Sequence, residues 1–159
     1  MPIPIRPLAP DDRDRVVHFI RERWGTELVV AHGSVYFPHN LPGFAALEGE
    51  TIVGLVTYCS TGEVCEIVTL DSLRPNGGLG TALIEAVKET ARQAGCKRLW
   101  VITTNDNLNA LRFYQKRGFQ LVAVHRNALE RTRLIKPQLP LVGEHGIPLR
   151  DEIELELPL

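Results

Sequence analysis

Residues 70–83 read L-D-S-L-R-P-N-G-G-L-G-T-A-L, in which Gly77, Gly78 and Gly80 lie between a strand pattern and a helix pattern. Glycine permits unusual backbone torsions and lets main-chain atoms approach a ligand closely. The unpaired amides and the positive dipole end of a helix N-terminus attract anions such as phosphates. A pyrophosphate is therefore the natural ligand of this turn, although a tight turn that needs glycine would explain the same residues.

Two other kinds of nucleotide site place different residues at a glycine turn. The phosphate loop of ATPases requires G-K-[ST], whereas Leu79 and Gly80 follow Gly78 here. A dinucleotide fingerprint lies early in a doubly wound chain, and the next strand ends on an acidic residue. In this chain three predicted strands precede the turn, and the next strand ends at Thr103 and Thr104. The turn therefore lacks the residues that mark either kind of site.

A second candidate site lies at residues 107–119, N-L-N-A-L-R-F-Y-Q-K-R-G-F. This stretch closely resembles the N-x-x-A-x-x-x-Y-x-x-x-G-F signature of the GNAT superfamily of N-acetyltransferases, with Asn107, Ala110 and Tyr114 at the signature positions. One helix and one strand separate it from the glycine turn, which is also similar to that family. The resemblance covers about residues 44–124.

The resemblance implies an α/β fold with a mixed, mostly antiparallel central sheet, helices on both faces and a V-shaped splay between the two central strands. It implies acetyl-CoA as co-substrate, with the pyrophosphate on amides from about Gly77 to Thr81 and the pantetheine arm in the splay. The residues that it implies for binding acetyl-CoA are Leu70, Asp71, Ser72, Asn76, Gly77, Gly78, Leu79, Gly80, Thr81, Asn107, Ala110 and Tyr114.

Tyr114 matches the family position whose hydroxyl protonates the departing CoA thiolate. A phenol of pKa about 10 can share or give a proton to a thiolate whose conjugate acid has a pKa near 8.5. A structural aromatic ring, as we expect for Phe113 and Phe119, is the alternative, and the glycine turn favours the catalytic interpretation.

The glycine turn departs from the family pattern at one position. The pattern of Gln or Arg, two residues, Gly, one residue, then Gly or Ala places Pro75 where Gln or Arg belongs. Arg74 lies one residue early. Because proline lacks an amide hydrogen, one phosphate contact is expected to be missing or to come from Arg74.

An amine must lose a proton to attack a thioester, so the reaction needs a base or a water chain. Glu66 is the predicted general base, directly or through water, because it lies on the strand that leads into the glycine turn. A strand period of two predicts that Glu66 shares a face with Val68 and Leu70, the cofactor side in the resembled fold. An exposed strand carboxylate is the alternative interpretation.

Hydrophobic periodicity predicts the elements that position these residues. Helical spacing of Val16, Val17, Ile20 and Trp24 predicts a first helix that ends at Gly25. Two further helices are predicted over residues 79–94 and 107–117. Strands are predicted over residues 44–47, 52–58, 64–70, 98–102, 119–124 and 152–157, the first three as an antiparallel meander and the last as an edge strand.

Two irregular segments flank the cleft in the resembled fold. Residues 27–43 are predicted to be a loop or broken helix, and residues 126–150 a long connection with a short helical stretch. Such insertions carry specificity in many proteins, so we expect both segments to contact the acceptor. Their mixed composition leaves the acceptor as a small-molecule or peptide amine.

Size and composition bound the remaining possibilities. With 159 residues and 44% hydrophobic content, we expect a single GNAT-like domain over residues 1–159, with 126–150 as an acceptor-side insertion. The net charge of -1 argues against nucleic acid or an anionic membrane as a partner. With no long apolar run and no signal-peptide pattern, the expected location is cytoplasmic. Pairing with a second copy of the chain is left open.

The 3 cysteines and 5 histidines show no metal-ligand spacing, so no metal is expected. Cys59, Cys65 and Cys96 are predicted to be reduced core residues. The sequence thus predicts an acetyl-CoA-dependent N-acetyltransferase. The alternatives are a non-catalytic acyl-CoA sensor domain of the same fold and a scaffold that binds ATP or NAD through the glycine turn.

Overall fold

The computed structural model describes residues 3–75 and 77–159. Nine strands and four helices follow one another along these residues, and their predominantly antiparallel strands give the mixed α/β class that was predicted. In chain order they are β1 (Ile5–Pro7), α1 (Arg13–Trp24), β2 (Val29–Ala31), β3 (Ser34–Tyr36), β4 (Gly43–Glu48), β5 (Thr51–Thr61), β6 (Val64–Ser72), α2 (Leu79–Gln93), β7 (Arg98–Thr104), α3 (Leu108–Lys116), β8 (Gln120–His125), α4 (Ala128–Ile135) and β9 (Glu152–Pro158).

The described residues form two compact units. The first contains residues 3–29, 36–75, 77–99 and 159, and the second contains residues 30–35 and 100–158. The glycine turn and Glu66 belong to the first unit, whereas the Asn107 to Phe119 motif belongs to the second.

Strands of the first unit follow the order β1-β4-β5-β6, and each neighbouring pair is antiparallel. The predicted meander of β4, β5 and β6 is thus confirmed. Strand β1 was missed, because Pro4 and Pro7 break the alternating pattern that marks a strand. It pairs with β4, with Arg6 opposite Ala45.

The pairing of β5 with β6 contains an irregularity that decides where Glu66 points. Around it, the Cα partners are Thr57 with Thr69, Tyr58 with Ile67, and Cys59 with Glu66. Val68 is the extra residue, and such a bulge reverses the alternation of side chains along one strand. Glu66 therefore shares a face with Thr69 and Asp71. The predicted face shared with Leu70 is wrong, because a strict period of two does not survive the bulge.

Helices cover both faces of the sheet in the first unit, as predicted. Val16 and Ile20 of α1 pack with Leu55 of β5 in a buried apolar cluster. On the opposite face, a Cβ added to Gly54 would lie 2.7 Å from Leu79 Cδ2, so α2 approaches the sheet closely at this glycine. Glycine at position 54 thereby sets the depth at which α2 and its N-terminus sit.

Strands of the second unit follow the order β7-β9-β8, with β8 antiparallel to β9. The prediction of β9 as an edge strand is wrong, since β8 ends this order. Two of the alternating acids of β9 form hydrogen bonds within the protein. Glu152 is 3% exposed and accepts a hydrogen bond from the His32 amide, and Glu154 Oε1 is hydrogen-bonded to His125 Nε2.

Residues 27–43 are more regular than predicted. Strands β2 and β3 pair with each other, and residues 38–40 form one short 3-10 turn. Strands of three residues are too short for their period to be recognised against the glycine and prolines around them.

Asp12, at the start of α1, predicts an acid-sensitive contribution to stability. Two hydrogen bonds from Arg6 hold the pKa of Asp12 well below its usual range although burial opposes this. A carboxylate with a depressed folded pKa stabilises the fold above its unfolded pKa of about 4, and this contribution is lost as the pH falls. We expect Asp12→Asn to lower the free energy of unfolding by about 2 kcal/mol at pH 7.

Thermal unfolding of Asp12→Asn between pH 7 and pH 3 checks this prediction. Its melting temperature should fall less with decreasing pH than that of the wild type. Asp11→Asn, at the exposed neighbouring position, is the matched control and should follow the wild-type curve. Parallel curves for the wild type and Asp12→Asn would contradict the assignment.

Candidate active site

The glycine turn ends at the N-terminus of α2. Gly78 is the N-cap residue with φ of 78°, a left-handed conformation that favours glycine. The first helical hydrogen bond runs from Ala82 N to Gly78 O over 3.0 Å. Among the described residues no side chain caps this end and no acid lies in its first turn. The N-terminus of α2 is therefore suited to binding an anion. Asn76, which was also predicted to bind acetyl-CoA, lies outside the described residues.

The guanidinium group of Arg74 contacts Glu48 at the end of β4. Its Nε lies 2.7 Å from Glu48 Oε1, and both side chains are about half exposed. An exposed ion pair of this kind contributes little to stability, so Arg74 could leave Glu48 at little cost. The expectation that Arg74 supplies a phosphate contact in place of the amide hydrogen that Pro75 lacks stays a prediction.

The end of β6 directs its polar side chains toward other parts of the first unit. The Asp71 carboxylate accepts a hydrogen bond from Trp24 Nε1 at 3.0 Å, and burial raises its pKa. Ser72 Oγ accepts one from the Arg74 amide at 3.1 Å. Contacts of Asp71 and Ser72 with a cofactor would therefore come from main-chain atoms. Leu70, half-buried, lies opposite Val56.

Glu66 is a buried carboxylate, with 5% of its surface exposed. The Tyr36 hydroxyl donates a hydrogen bond of 2.7 Å to Glu66 Oε1. The alternative of an exposed strand carboxylate is thereby wrong. Sequence reasoning missed Tyr36, and the available signal was a tyrosine inside the segment that was expected to flank the cleft.

Asn107 is the N-cap residue of α3 in the second unit. Its Oδ1 accepts a hydrogen bond of 3.1 Å from the Ala110 amide, so the side chain caps the helix. The capping bond uses the carbonyl oxygen and fixes the orientation of the side-chain amide. An Asn at this position thus has a structural role, and its side-chain NH₂ group is the part suited to donate to a ligand.

Tyr114 is buried on α3, with 5% of its surface exposed. Its ring meets the rings of Phe113 and Phe119 edge-on, with centroids 5.4 and 5.2 Å apart. Aromatic contacts on two sides restrict the ring and hence the position of its hydroxyl. Tyr114 is therefore both a packed aromatic residue and a well-oriented phenol, so the two interpretations of its role are compatible.

The connection between β8 and β9 is anchored to the turn that precedes α3. Asn105 Oδ1 accepts hydrogen bonds from the amides of Arg150 and Asp151, and Asp106 Oδ2 accepts one from the Glu144 amide. A Cβ on Gly143 would lie 2.1 Å from Asp106 Oδ2, so only glycine fits there. The predicted acceptor-side insertion is thus tied to the helix that carries Asn107 and Tyr114.

The three cysteines are free thiols. Cys65 and Cys96 are buried and Cys59 is partly buried, in keeping with the predicted reduced residues. Burial raises the pKa of Cys65 to about 11, which disfavours the thiolate needed for nucleophilic catalysis. Within residues 3–75 and 77–159, no group of three or more His, Cys, Asp or Glu side chains could hold a metal ion.

Comparison with known families decides the class of this site. A model of the Acetyltransferase (GNAT) family matches residues 11–119, which include β6, the glycine turn and α3. The chain belongs to this family. The resemblance in the two sequence motifs is thereby confirmed, and the chain is an acyltransferase.

A curated relative of this GNAT acetyltransferase is the uncharacterized protein YdhI of Bacillus subtilis (strain 168). The two are 48% identical over 136 residues, which cover 85% of each chain. This relative extends the likeness beyond the matched family segment, but its name assigns no acceptor.

Two solved structures show the fold. IAA acetyltransferase from Bacillus cereus ATCC 14579 gives a TM-score of 0.74 at 21% identity, covering 99% of this chain and 100% of the other. A GNAT family acetyltransferase from Elizabethkingia anophelis with acetyl-CoA bound gives 0.70 at 21% identity, covering 99% and 98%. At this identity the likeness establishes the shared fold, and the acetyl-CoA belongs to the Elizabethkingia protein.

Among the described residues, no helix has the length and apolar character to cross a membrane. This finding concerns α1 to α4.

Proposed function

We propose that this GNAT acetyltransferase transfers the acetyl group of acetyl-CoA directly to a primary amine. The observation that carries the proposal is the N-terminus of α2. Among the described residues, no side chain caps this helix end at Gly78 and no acid lies in the first turn of α2. A helix end of this kind suits the pyrophosphate of CoA. The family's glycine motif falls at the same place.

The residues proposed to hold acetyl-CoA are those that the sequence predicted. Main-chain atoms from Gly77 to Thr81 would bind the pyrophosphate, and Asn107 would donate its side-chain amide to the pantetheine arm. Leu79 is buried and packs against Gly54 of β5, and this contact fixes the position of the N-terminus of α2 on the sheet. The remaining proposed contacts are Leu70, Asp71, Ser72, Asn76, Ala110 and Tyr114.

Two residues are proposed to move protons. When bound, acetyl-CoA supplies the thioester carbonyl that the amine attacks. Glu66, directly or through water, takes the proton that the amine nitrogen loses as the new C–N bond forms. Tyr114 gives a proton to the sulfur as the C–S bond breaks, so the products are an N-acetyl amine and CoA thiol. Exchange with solvent then returns a proton to Tyr114 and removes one from Glu66.

The proposal extends to the organisation of the chain. Residues 1–159 would act as one acetyltransferase domain, with the splay of central strands that the resemblance implies. Residues 27–43 and 126–150 would contact a small-molecule or peptide amine. The cytoplasmic location and the absence of nucleic acid and membrane partners stay predictions of the sequence. Pairing of two copies is open, and the exposed Leu121 and Val124 of edge strand β8 are where such pairing would be sought.

Ligand-dependent thermal unfolding tests the proposal. A ligand that binds the native state at 100 times its Kd stabilises it by about 2.7 kcal/mol, which raises the melting temperature by roughly 5–10 °C for a chain of this size. We expect acetyl-CoA and CoA to produce such a shift, and ATP and NAD to produce none. A shift with ATP or NAD alone would favour the nucleotide scaffold.

Turnover separates an enzyme from a sensor. Thiol release from acetyl-CoA is measured with lysine, spermidine and a short peptide with a free N-terminus. Release that depends on an added amine supports the enzyme. Strong binding of acetyl-CoA without release would favour the non-catalytic sensor of the same fold.

A further inference from the structure

The hydroxyl of Tyr36 and the carboxylate of Glu66 form a contact within the first unit that the proposed mechanism does not yet use. The donor and acceptor atoms are 2.7 Å apart and 30 residues apart in sequence. A hydroxyl that donates to a carboxylate makes a charge-assisted hydrogen bond, which is stronger than a bond between neutral groups. Such a bond fixes which way the carboxylate plane faces.

Tyr36 is itself held by its surroundings. Its ring packs against the apolar cluster formed by α1 and the sheet, in which Val16, Ile20 and Leu55 are buried. Cys59, the partner of Glu66 across the β5–β6 pairing, packs against the same cluster. The ring is therefore braced by apolar contacts while its hydroxyl reaches Glu66. A braced donor can orient a carboxylate more firmly than a mobile one.

The environment of Glu66 makes its orientation matter. The bulge at Val68 turns Glu66 toward the face that α1 covers, and Glu66 is almost fully buried there. Thr69, on the same face of β6, is a buried polar residue as well. A buried carboxylate is oriented by the polar groups that bond it, and the Tyr36 hydroxyl is one such group.

We propose that Tyr36 is the positioning residue of Glu66: its hydroxyl holds the carboxylate in the orientation that accepts the proton of the acceptor amine. The inference rests on the proposed function, because it assumes that Glu66 is the base. Tyr36 acts through Glu66 and takes no proton itself. The segment between α1 and β4 thus contributes to proton transfer as well as to the predicted acceptor surface.

A double-mutant cycle tests the inference. Tyr36→Phe removes the hydroxyl and keeps the ring, Glu66→Gln removes the base, and the third variant carries both changes. Thiol release from acetyl-CoA is measured for each with lysine, spermidine and the peptide amine, and also with water as the only acceptor. Tyr58→Phe is the matched control, since its ring stacks on Phe44 on the opposite face of β5.

We expect Tyr36→Phe to lower kcat about tenfold, the size expected for one hydrogen bond to a charged group. The KM for acetyl-CoA should change little, whereas the melting temperature should fall by a few degrees because the buried carboxylate loses a hydrogen bond. In the Glu66→Gln background, Tyr36→Phe should lower kcat less than about twofold, because the residue that it positions is gone. Tyr58→Phe should leave kcat unchanged in both backgrounds.

The outcomes distinguish failure of the inference from failure of the proposed function. A wild-type protein without thiol release, or Glu66→Gln at the wild-type rate, would refute the proposed enzyme or its base. If Glu66→Gln is slow, two results refute the role of Tyr36: an unchanged kcat in Tyr36→Phe, or the same fold-loss in both backgrounds.

A spectroscopic measurement tests the contact without turnover. In protein labelled with ¹³C at glutamate side-chain carboxyls, the Glu66 resonance is identified by its loss in Glu66→Gln. We expect it to shift in Tyr36→Phe and to stay in place in Tyr58→Phe. An unmoved resonance in Tyr36→Phe would show that the hydroxyl does not bond the carboxylate in solution.

Discussion

Tyr114→Phe should lower kcat about 100-fold, at the lower end of the range for loss of a general acid. The substitution removes only the hydroxyl, and the edge-on contacts of the ring with Phe113 and Phe119 remain. The CoA thiolate would then leave without a proton donor, which raises the barrier for cleavage of the C–S bond. The Kd for acetyl-CoA should stay within about twofold, because the proposed contacts with the pyrophosphate are untouched.

Steady-state thiol release and calorimetric titration with acetyl-CoA measure these two quantities separately. Tyr58→Phe again serves as the control, since it is the same substitution at a half-buried ring. A Tyr114→Phe enzyme with an unchanged kcat would assign Tyr114 to packing alone. A large drop in acetyl-CoA affinity with little change in kcat would assign it to binding.

Gly80→Asp should weaken binding of acetyl-CoA about 100-fold, which corresponds to about 2.7 kcal/mol. Gly80 is a half-buried residue in the first turn of α2, where the pyrophosphate is proposed to bind. A carboxylate there would repel the phosphates. The fold should be no less stable, because an acid in the first turn of a helix interacts favourably with the helix dipole and glycine is a poor helix former.

Gly80→Asn is the matched control, since its side chain has the same shape without the charge. Calorimetric titration should find tighter binding for Asn than for Asp, and the gap should narrow at high salt. Unfolding temperatures of both variants establish that the fold is intact. Equal affinities for Gly80→Asp and wild type would remove the pyrophosphate from this helix end.

The two effects separate the steps of the proposed mechanism. Tyr114→Phe should act on turnover at saturating acetyl-CoA, whereas Gly80→Asp should act on the concentration at which saturation is reached. If Tyr114→Phe instead changed the acetyl-CoA concentration needed for saturation and Gly80→Asp changed turnover, the role of Tyr114 on α3 would be coenzyme binding and not proton transfer.

The sequence predicted the features that depend on local patterns. The helical period and the closing glycine predicted α1. The same signs predicted a helix over residues 79–94, and α2 ends one residue earlier. Gly78 has a positive φ, a conformation that favours glycine, so the glycines in the sequence were enough to predict a turn there. The family was recognised from the resemblance of residues 107–119 to the GNAT signature, a motif that is contiguous because it spans one short helix and its N-cap.

Tertiary structure alone decided how Glu66 is presented. The bulge at Val68 depends on the register between β5 and β6, and no alternation along β6 by itself reveals it. The hydrogen bond from Tyr36 joins residues from separate elements. The anchoring of residues 143–151 by Asn105 and Asp106 likewise depends on chain segments about 40 residues apart. Sequence patterns report each element's own period, whereas pairing and burial arise only when distant elements meet.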